Sequence, residues 1–128
     1  MQAADKGNAI AQSRIGFMYA HGLGVGLDYA QAFDWMMRAA KQGNTFAQGF
    51  VGSLYERGRG VKLDYAEAVN WYKKAAEKEY AFAEFRLGAL YEEGHGVKTD
   101  AKEALEWYKK AASHGNDAAK NKLIELGN

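Results

Sequence analysis

Few side chains in this sequence stand where catalysis could use them. The histidines His21, His95 and His114 fall at or beside the ends of predicted helices. A metal site needs two or more ligands converging with closed geometry. His95, near Glu92 and Glu93, is the only cluster with ligand chemistry, and solvated decoration accounts for it. Glu92 and Glu93 are helical neighbours that diverge by about 100°, so they cannot face a substrate as an acid/base pair. Gly22-Leu-Gly-Val-Gly26 has the look of a phosphate-cradling loop. No strand precedes it, no Gly-Lys-Ser/Thr follows, and the later copies read Gly-Arg-Gly-Val-Lys and Gly-His-Gly-Val-Lys, so it reads as a structural turn. Gly52-Ser53 lies inside a predicted helix, without the strand–turn–helix context of a nucleophile. Lys73-Lys74 and Lys109-Lys110 stand near helix C-termini, where the dipole and solvent both favour them. The expectation is a non-enzyme, with no catalytic, cofactor or metal site.

What organises the chain is repetition. Gly-x-Gly-Val recurs every 36 residues, at Gly22/Gly24/Val25, Gly58/Gly60/Val61 and Gly94/Gly96/Val97. Asp28, Asp64 and Asp100 follow at one distance, then Ala32/Trp35, Ala68/Trp71 and Ala104/Trp107, then an Ala-Ala pair. A fixed period of this length marks stacked units, none of which buries its apolar face alone.

Composition agrees with a packed repeat and excludes other classes. The chain has 128 residues, 48% hydrophobic and 13% aromatic, ample for a continuous core. With 17 basic and 16 acidic residues the net charge is +1, which gives no electrostatic argument for nucleic acid or an anionic membrane. Cysteine is absent, so no disulfide frame or thiolate metal site can form. No apolar run approaches the ~20 residues of a spanning helix, and the first residues carry no secretory signal. Ala3-Ala4 reads instead as the tail of a preceding repeat, so the chain reads as a fragment of a longer protein.

Each repeat predicts two antiparallel helices. First helices are expected over 9–21, 45–57 and 80–93, with inner faces Ala11/Ile15/Tyr19, Ala47/Val51/Tyr55 and Ala83/Leu87/Tyr91 at four-residue spacing. Gly16, Gly52 and Gly88 stand mid-helix, where glycine costs about 1 kcal/mol relative to alanine; their recurrence predicts close helix–helix approach. Gly22, Gly58 and Gly94 are expected as left-handed C-caps. Asp28, Asp64 and Asp100 are expected to start the second helices, with Gln31, Glu67 or Glu103 three residues on in a capping-box arrangement. Those helices run to about 42, 78 and 114. Gly43-Asn44 and Gly115-Asn116 supply the stop and the next N-cap. Glu79-Tyr80 departs from that pattern and predicts a reshaped junction. A final helix near 117–126 has Ile124 at the glycine position and reads as a cap on the stack.

These residues resemble the Sel1-like repeat family, a branch of the tetratricopeptide-type helical solenoids. The second copy carries the pattern as Gly43, Ala47, Val51-Gly52, Tyr55, Gly58, Gly60-Val61, Asp64, Ala68, Trp71-Tyr72 and Ala75-Ala76. Copies one and three fit comparably, so the resemblance covers essentially the whole chain. The family's usual lysine before the alanine is Gln31, Glu67 and Glu103 here. The fold implied is an all-α, right-handed superhelical solenoid of antiparallel helix pairs. It forms a single repeat domain over 1–128: repeats at 7–42, 43–78 and 79–114, a capping helix at 115–128, and the tail of a preceding repeat at 1–6. The resemblance implies an adaptor in protein complexes, in a bacterial cytoplasm or periplasm, and the lack of cysteine separates the chain from the family's cysteine-rich subgroup.

By the same resemblance the first helices line a concave groove. The positions not used for packing would show Ile10/Phe46/Phe82, Ser13/Gly49/Phe85, Phe17/Ser53/Ala89, Ala20/Glu56/Glu92 and His21/Arg57/Glu93. Several change character between repeats, as a binding surface requires. The expected contact residues are Phe17, Phe46, Phe82, Phe85 and Ile10 as apolar anchors, with Glu56, Arg57, Glu92 and Glu93 setting specificity. Packing between adjacent repeats is the other reading of Phe46 and Phe82. A protein or peptide partner is expected, without nucleic acid or membrane insertion. Two alternatives stand beside it: an assembly module that self-associates through its repeat ends, and a hydrolase-like enzyme akin to rare family members, for which no convergent polar constellation is visible.

Overall fold

The computed structural model describes residues 7–127; the expected tail of a preceding repeat, residues 1–6, lies outside them. Among the described residues there are seven helices and no strand: α1 (Ala9–His21), α2 (Tyr29–Lys41), α3 (Thr45–Arg57), α4 (Tyr65–Ala76), α5 (Ala81–Glu93), α6 (Ala101–Ser113) and α7 (Asp117–Glu125). The fold is all-α, with helix ends within two residues of those the sequence predicts. The chain divides into two compact units, Met1–Asp64 with α1–α3 and Tyr65–Asn128 with α4–α7.

Capping residues set the helix starts. Asn8, Asn44 and Asn116 accept the amides of Ala11, Ala47 and Ala119 at 2.9, 2.8 and 2.8 Å. Asp28 and Asp100 accept those of Gln31 and Glu103 at 3.1 and 3.0 Å. Each satisfies one of the free amides of a first turn. At Asp28 and Asp100 the reciprocal half of the expected capping box is replaced. The Asp28, Asp64 and Asp100 amides donate to the carbonyls of Tyr19, Tyr55 and Tyr91 at 2.9, 3.0 and 3.0 Å. The preceding helix thus does what the Gln31 and Glu103 side chains were expected to do, and ties the loop shut.

The Glu79-Tyr80 junction is not reshaped. Glu79 takes φ 61° where Gly7, Gly43 and Gly115 take 88°, 93° and 93°, and Tyr80 serves as N-cap with no side-chain cap bond. The geometry persists and the residues absorb its cost, about 1–2 kcal/mol for a left-handed non-glycine residue.

In the first unit α2 packs against both α1 and α3. Gly16 permits the approach, since a Cβ there would lie 2.7 Å from Met36 Cγ and 3.2 Å from the Ala32 carbonyl. Met36, Ala32, Ala39, Ala47 and Val51 are fully enclosed. No described helix precedes α1, and its stripe residues Ile15 and Tyr19 are only half-buried.

In the second unit α5 packs on α4 and α6, and α7 on α6. Leu87, Leu90, Tyr72 and Tyr108 form the interior, and Gly88 lies where a Cβ would meet the Tyr108 ring at 2.7 Å. The Tyr108 hydroxyl donates to Glu92 Oε1 at 2.6 Å, and Lys122 Nζ of α7 reaches the same oxygen at 3.2 Å.

Candidate functional site

The first unit exposes apolar surface on α1 and α3. Ile10 is 60% exposed, Phe17 and Met18 37% and Phe46 41%. With Ser13 and Arg14 they line an open cavity of about 380 Å³. The rings form one cluster. Phe17 stacks on His21 at 4.0 Å between centroids and lies 6.3 Å from Phe46 and 6.4 Å from Phe50, while Phe46 and Phe50 are 5.7 Å apart. The His21 Nδ1–H donates to the Phe17 carbonyl at 3.0 Å, which holds the imidazole flat on its neighbour. The cluster follows from helix geometry, because Phe17/His21 and Phe46/Phe50 are each four residues apart and share a face.

The structure therefore brings Ile10, Phe17 and Phe46 together. Phe82 and Phe85 stand differently in the second unit. Phe82 is half-buried between Tyr72 and Tyr80, at 6.0 and 5.9 Å. Phe85 is half-buried on the Tyr108 ring at 5.7 Å, with the Arg86 guanidinium 5.7 Å from its own ring. Of the charged candidates, Arg57 and Glu93 are exposed and Glu56 half-buried. Glu92 is drawn inward by Tyr108 and Lys122. Burial raises its pKa, but the two hydrogen bonds outweigh that and hold the carboxyl below its ordinary value. Burial, then the bond to Glu92, pushes the Tyr108 hydroxyl up, so both stay in their bonded forms at neutral pH.

In each unit a polar pair with one buried and one exposed partner escaped the sequence reading. In the first unit Gln42 Nε2–H donates to Gln12 Oε1 at 2.7 Å, and Gln12 is 5% exposed. At the same repeat positions in the second unit His114 Nδ1–H donates to Glu84 Oε1 at 2.7 Å, with Glu84 only 2% exposed. His114 Nε2 lies 3.7 Å from Glu79. The hydrogen bond to Glu84 raises the His114 pKa against a smaller desolvation effect, and the Glu84 and Glu79 charges add to it. The signal was available: Gln12 with Gln42, and Glu84 with His114, are both 30 residues apart. Phe50 was missed because its repeat position carries Arg14 and Arg86.

The remaining chemistry-bearing residues fall to structural roles. His95 stacks on Tyr65 at 4.4 Å and lies 3.8 Å from Glu93. Among the described residues no group of three His, Cys, Asp or Glu could hold a metal ion. The cations of Arg38, Lys74 and Lys110 lie over Trp35, Trp71 and Trp107 at 4.4, 5.4 and 4.5 Å, a cation–π contact repeated three residues along each second helix. No helix of the described residues is long and apolar enough to cross a membrane.

Comparison with known proteins places these features. The chain is similar to a protective antigen of uropathogenic Escherichia coli strains that displays an SLR fold, with 43% identity and a TM-score of 0.92 over 94% of this chain and 26% of that one. It is also similar to a Sel1 repeat protein from Oxalobacter formigenes, with 45% identity and a TM-score of 0.84 over 89% of this chain and 47% of that one. The chain thus spans about a quarter of the first neighbour and about half of the second. Cysteine-rich protein B of Helicobacter pylori shares the fold at 23% identity and a TM-score of 0.74, covering 95% of this chain and 92% of that one. Comparison with curated proteins gives no match. Sel1 repeat proteins are generally non-enzymatic scaffolds for protein interaction. The Sel1 repeat model matches residues 9–44, 45–80 and 81–116, and with these helix pairs and caps in place the chain belongs to the Sel1 repeat family.

Proposed function

We propose that this chain is a non-catalytic adaptor that binds a protein or peptide partner through the concave-face positions of its first helices, with the Phe17–Phe46 cluster as anchor. The observation that carries the reading is the exposure of Ile10, Phe17 and Phe46 around one open cavity. Burying apolar surface is worth about 25 cal/mol per Å², and aromatic side chains in a desolvated centre commonly dominate an interface. Arg14 at the cavity wall and Arg57 and Glu56 at the end of α3 supply polar discrimination. In the second unit Phe82, Phe85 and Glu93 are the candidate contacts at the same repeat positions or nearby, and Glu92 acts by holding its neighbours in place.

The test is capture of partners by the chain and by a Phe17→Ser/Phe46→Ser variant that keeps its helical circular dichroism. Prey lost with the variant supports the anchor; prey retained equally removes it. A second reading, self-association through a repeat end, is favoured by Ile124 of α7 and its C-cap Leu126, which are 73% and 45% exposed. Under it, sedimentation velocity gives a concentration-dependent dimer that Ile124→Lys abolishes.

A further inference from the structure

A half-open cavity of about 520 Å³ lies in the second unit, bordered by α4, α5, α6 and the Glu79 turn. That volume is within the range of about 300–1,000 Å³ typical of small-molecule sites. Its lining is polarised along its length. Lys73 on α4 stands four residues before Glu77, and Lys110 on α6 four before His114, about 6 Å per step along either helix. One end therefore carries Lys73, Lys110 and Trp107. The other carries Glu77, Glu79 and the Glu84–His114 pair, three carboxylates against one imidazole. The C-terminal carbonyls of α4 and α6 add to the negative end.

Two observations argue that this polarity is not there for the fold. The first unit closes the corresponding position with a neutral Gln12–Gln42 bond, whereas enclosing the Glu84 carboxylate in the second unit carries a desolvation cost that an amide avoids. The indole N–H of Trp107, in the cavity wall, is buried and has no hydrogen-bond partner; such orphans are rare in native structures. The Lys73 and Lys110 ammoniums lie over the Tyr91 and Trp107 rings, at 6.0 and 4.5 Å, and lose little by turning to an anion.

We propose that this cavity binds a small zwitterion of the amino-acid or short-peptide class, its carboxylate taken by Lys73 and Lys110 and its ammonium by Glu77 and Glu79. Glu84 is a positioning residue here: it anchors His114 through Nδ1 and so fixes the negative end.

Glycylglycine is the probe, with N-acetyl-glycylglycine and glycylglycine amide as analogues lacking one charge each. Binding is read from the nitrogen-15 shifts of the Trp107 indole and the His114 ring. Saturable shifts are expected for glycylglycine, with each analogue weaker by about tenfold. Lys73→Met/Lys110→Met is expected to remove the preference over the amide, and Glu77→Gln/Glu79→Gln the preference over the acetylated form. All four positions are exposed, so the variants keep the fold. Absence of saturation, equal binding of the analogues, or unchanged preferences in both variants would overturn the proposal.

Discussion

Gly24, Gly60 and Gly96 occupy one repeat position with nearly one backbone conformation, φ 75°, 74° and 76°, but not one environment. A Cβ on Gly24 would meet only Met18 Cε, at 3.7 Å. A Cβ on Gly96 would lie 2.5 Å from the Tyr65 carbonyl oxygen and 2.9 Å from the Ala66 amide nitrogen, and one on Gly60 would press still closer on the Tyr29 carbonyl. Alanine at any of the three must adopt a left-handed conformation, at about 1–2 kcal/mol. The lower entropy of its unfolded chain returns part of this, about 0.4–1 kcal/mol. Gly24→Ala should therefore cost about 1 kcal/mol. At Gly60 and Gly96 the obstacle is backbone in the first turn of α2 or α4, which no side-chain rotation clears. Overpacking of this kind adds about 1–3 kcal/mol, for a total near 3 kcal/mol. Urea denaturation of the three single variants, at matched m-values, measures the difference. Costs agreeing within about 0.5 kcal/mol would refute the argument that the Gly-x-Gly-Val turn is a packing device as well as a turn.

Three further outcomes follow from the same geometry. Because His114 is held above its ordinary pKa of 6.5, its bond to Glu84 contributes fully below that value and is lost as pH rises through the raised one; the denaturation midpoint should fall across that alkaline-going interval, and Glu84→Gln/His114→Gln should remove the step. Restoring the repeat's own residues by Glu79→Gly with Tyr80→Asn should raise stability by about 1 kcal/mol in thermal melts, from relief of φ strain and a recovered cap. Tyr108→Phe should cost about 1.5–3 kcal/mol in urea, the range for a hydrogen bond to a charged group, and should also weaken the effect of Lys122→Met in a double-mutant cycle, since both bonds end on Glu92 Oε1.

The fold was legible because its determinants are local and recur. The Asn and Asp caps, the left-handed glycines and the Ala-x-x-x-Trp runs each specify a boundary or a face without reference to distant residues, and each is written three times. The Glu79-Tyr80 junction misled for an instructive reason. A break in the pattern was read as a break in geometry, whereas the flanking helices hold the turn and impose the left-handed conformation on a residue that disfavours it. Side-chain sites were less legible. Phe17 and Phe46 were identifiable by position, but Phe50 stands where neighbouring repeats carry arginine, and only its four-residue spacing from Phe46 brings it into the cluster. The Glu84–His114 pair lies between elements 30 residues apart, a distance at which helical periodicity carries no information. Only comparison with Gln12 and Gln42 would have revealed it.

That pair also bears on how a self-similar chain finds its register. Apolar layers built from alanine at 39, 75 and 111 or at 47, 83 and 119 are nearly interchangeable, so helix packing slipped by whole repeats competes with the native arrangement in a way it does not in an irregular fold. The buried polar positions are not interchangeable. A two-repeat slip that set Glu84 against Gln42 would leave an enclosed carboxylate without its cation, an arrangement that costs more than the native pair contributes. The native pairing therefore penalises the misregister more than it stabilises the fold, as single polar residues do in coiled-coil seams. Glu84→Gln/His114→Gln separates the two effects: above the raised His114 pKa, equilibrium stability should be close to the parent's, while refolding from urea should yield more slow-refolding or domain-swapped material by size-exclusion chromatography. Refolding as clean as the parent's would show that the apolar layers alone set the register.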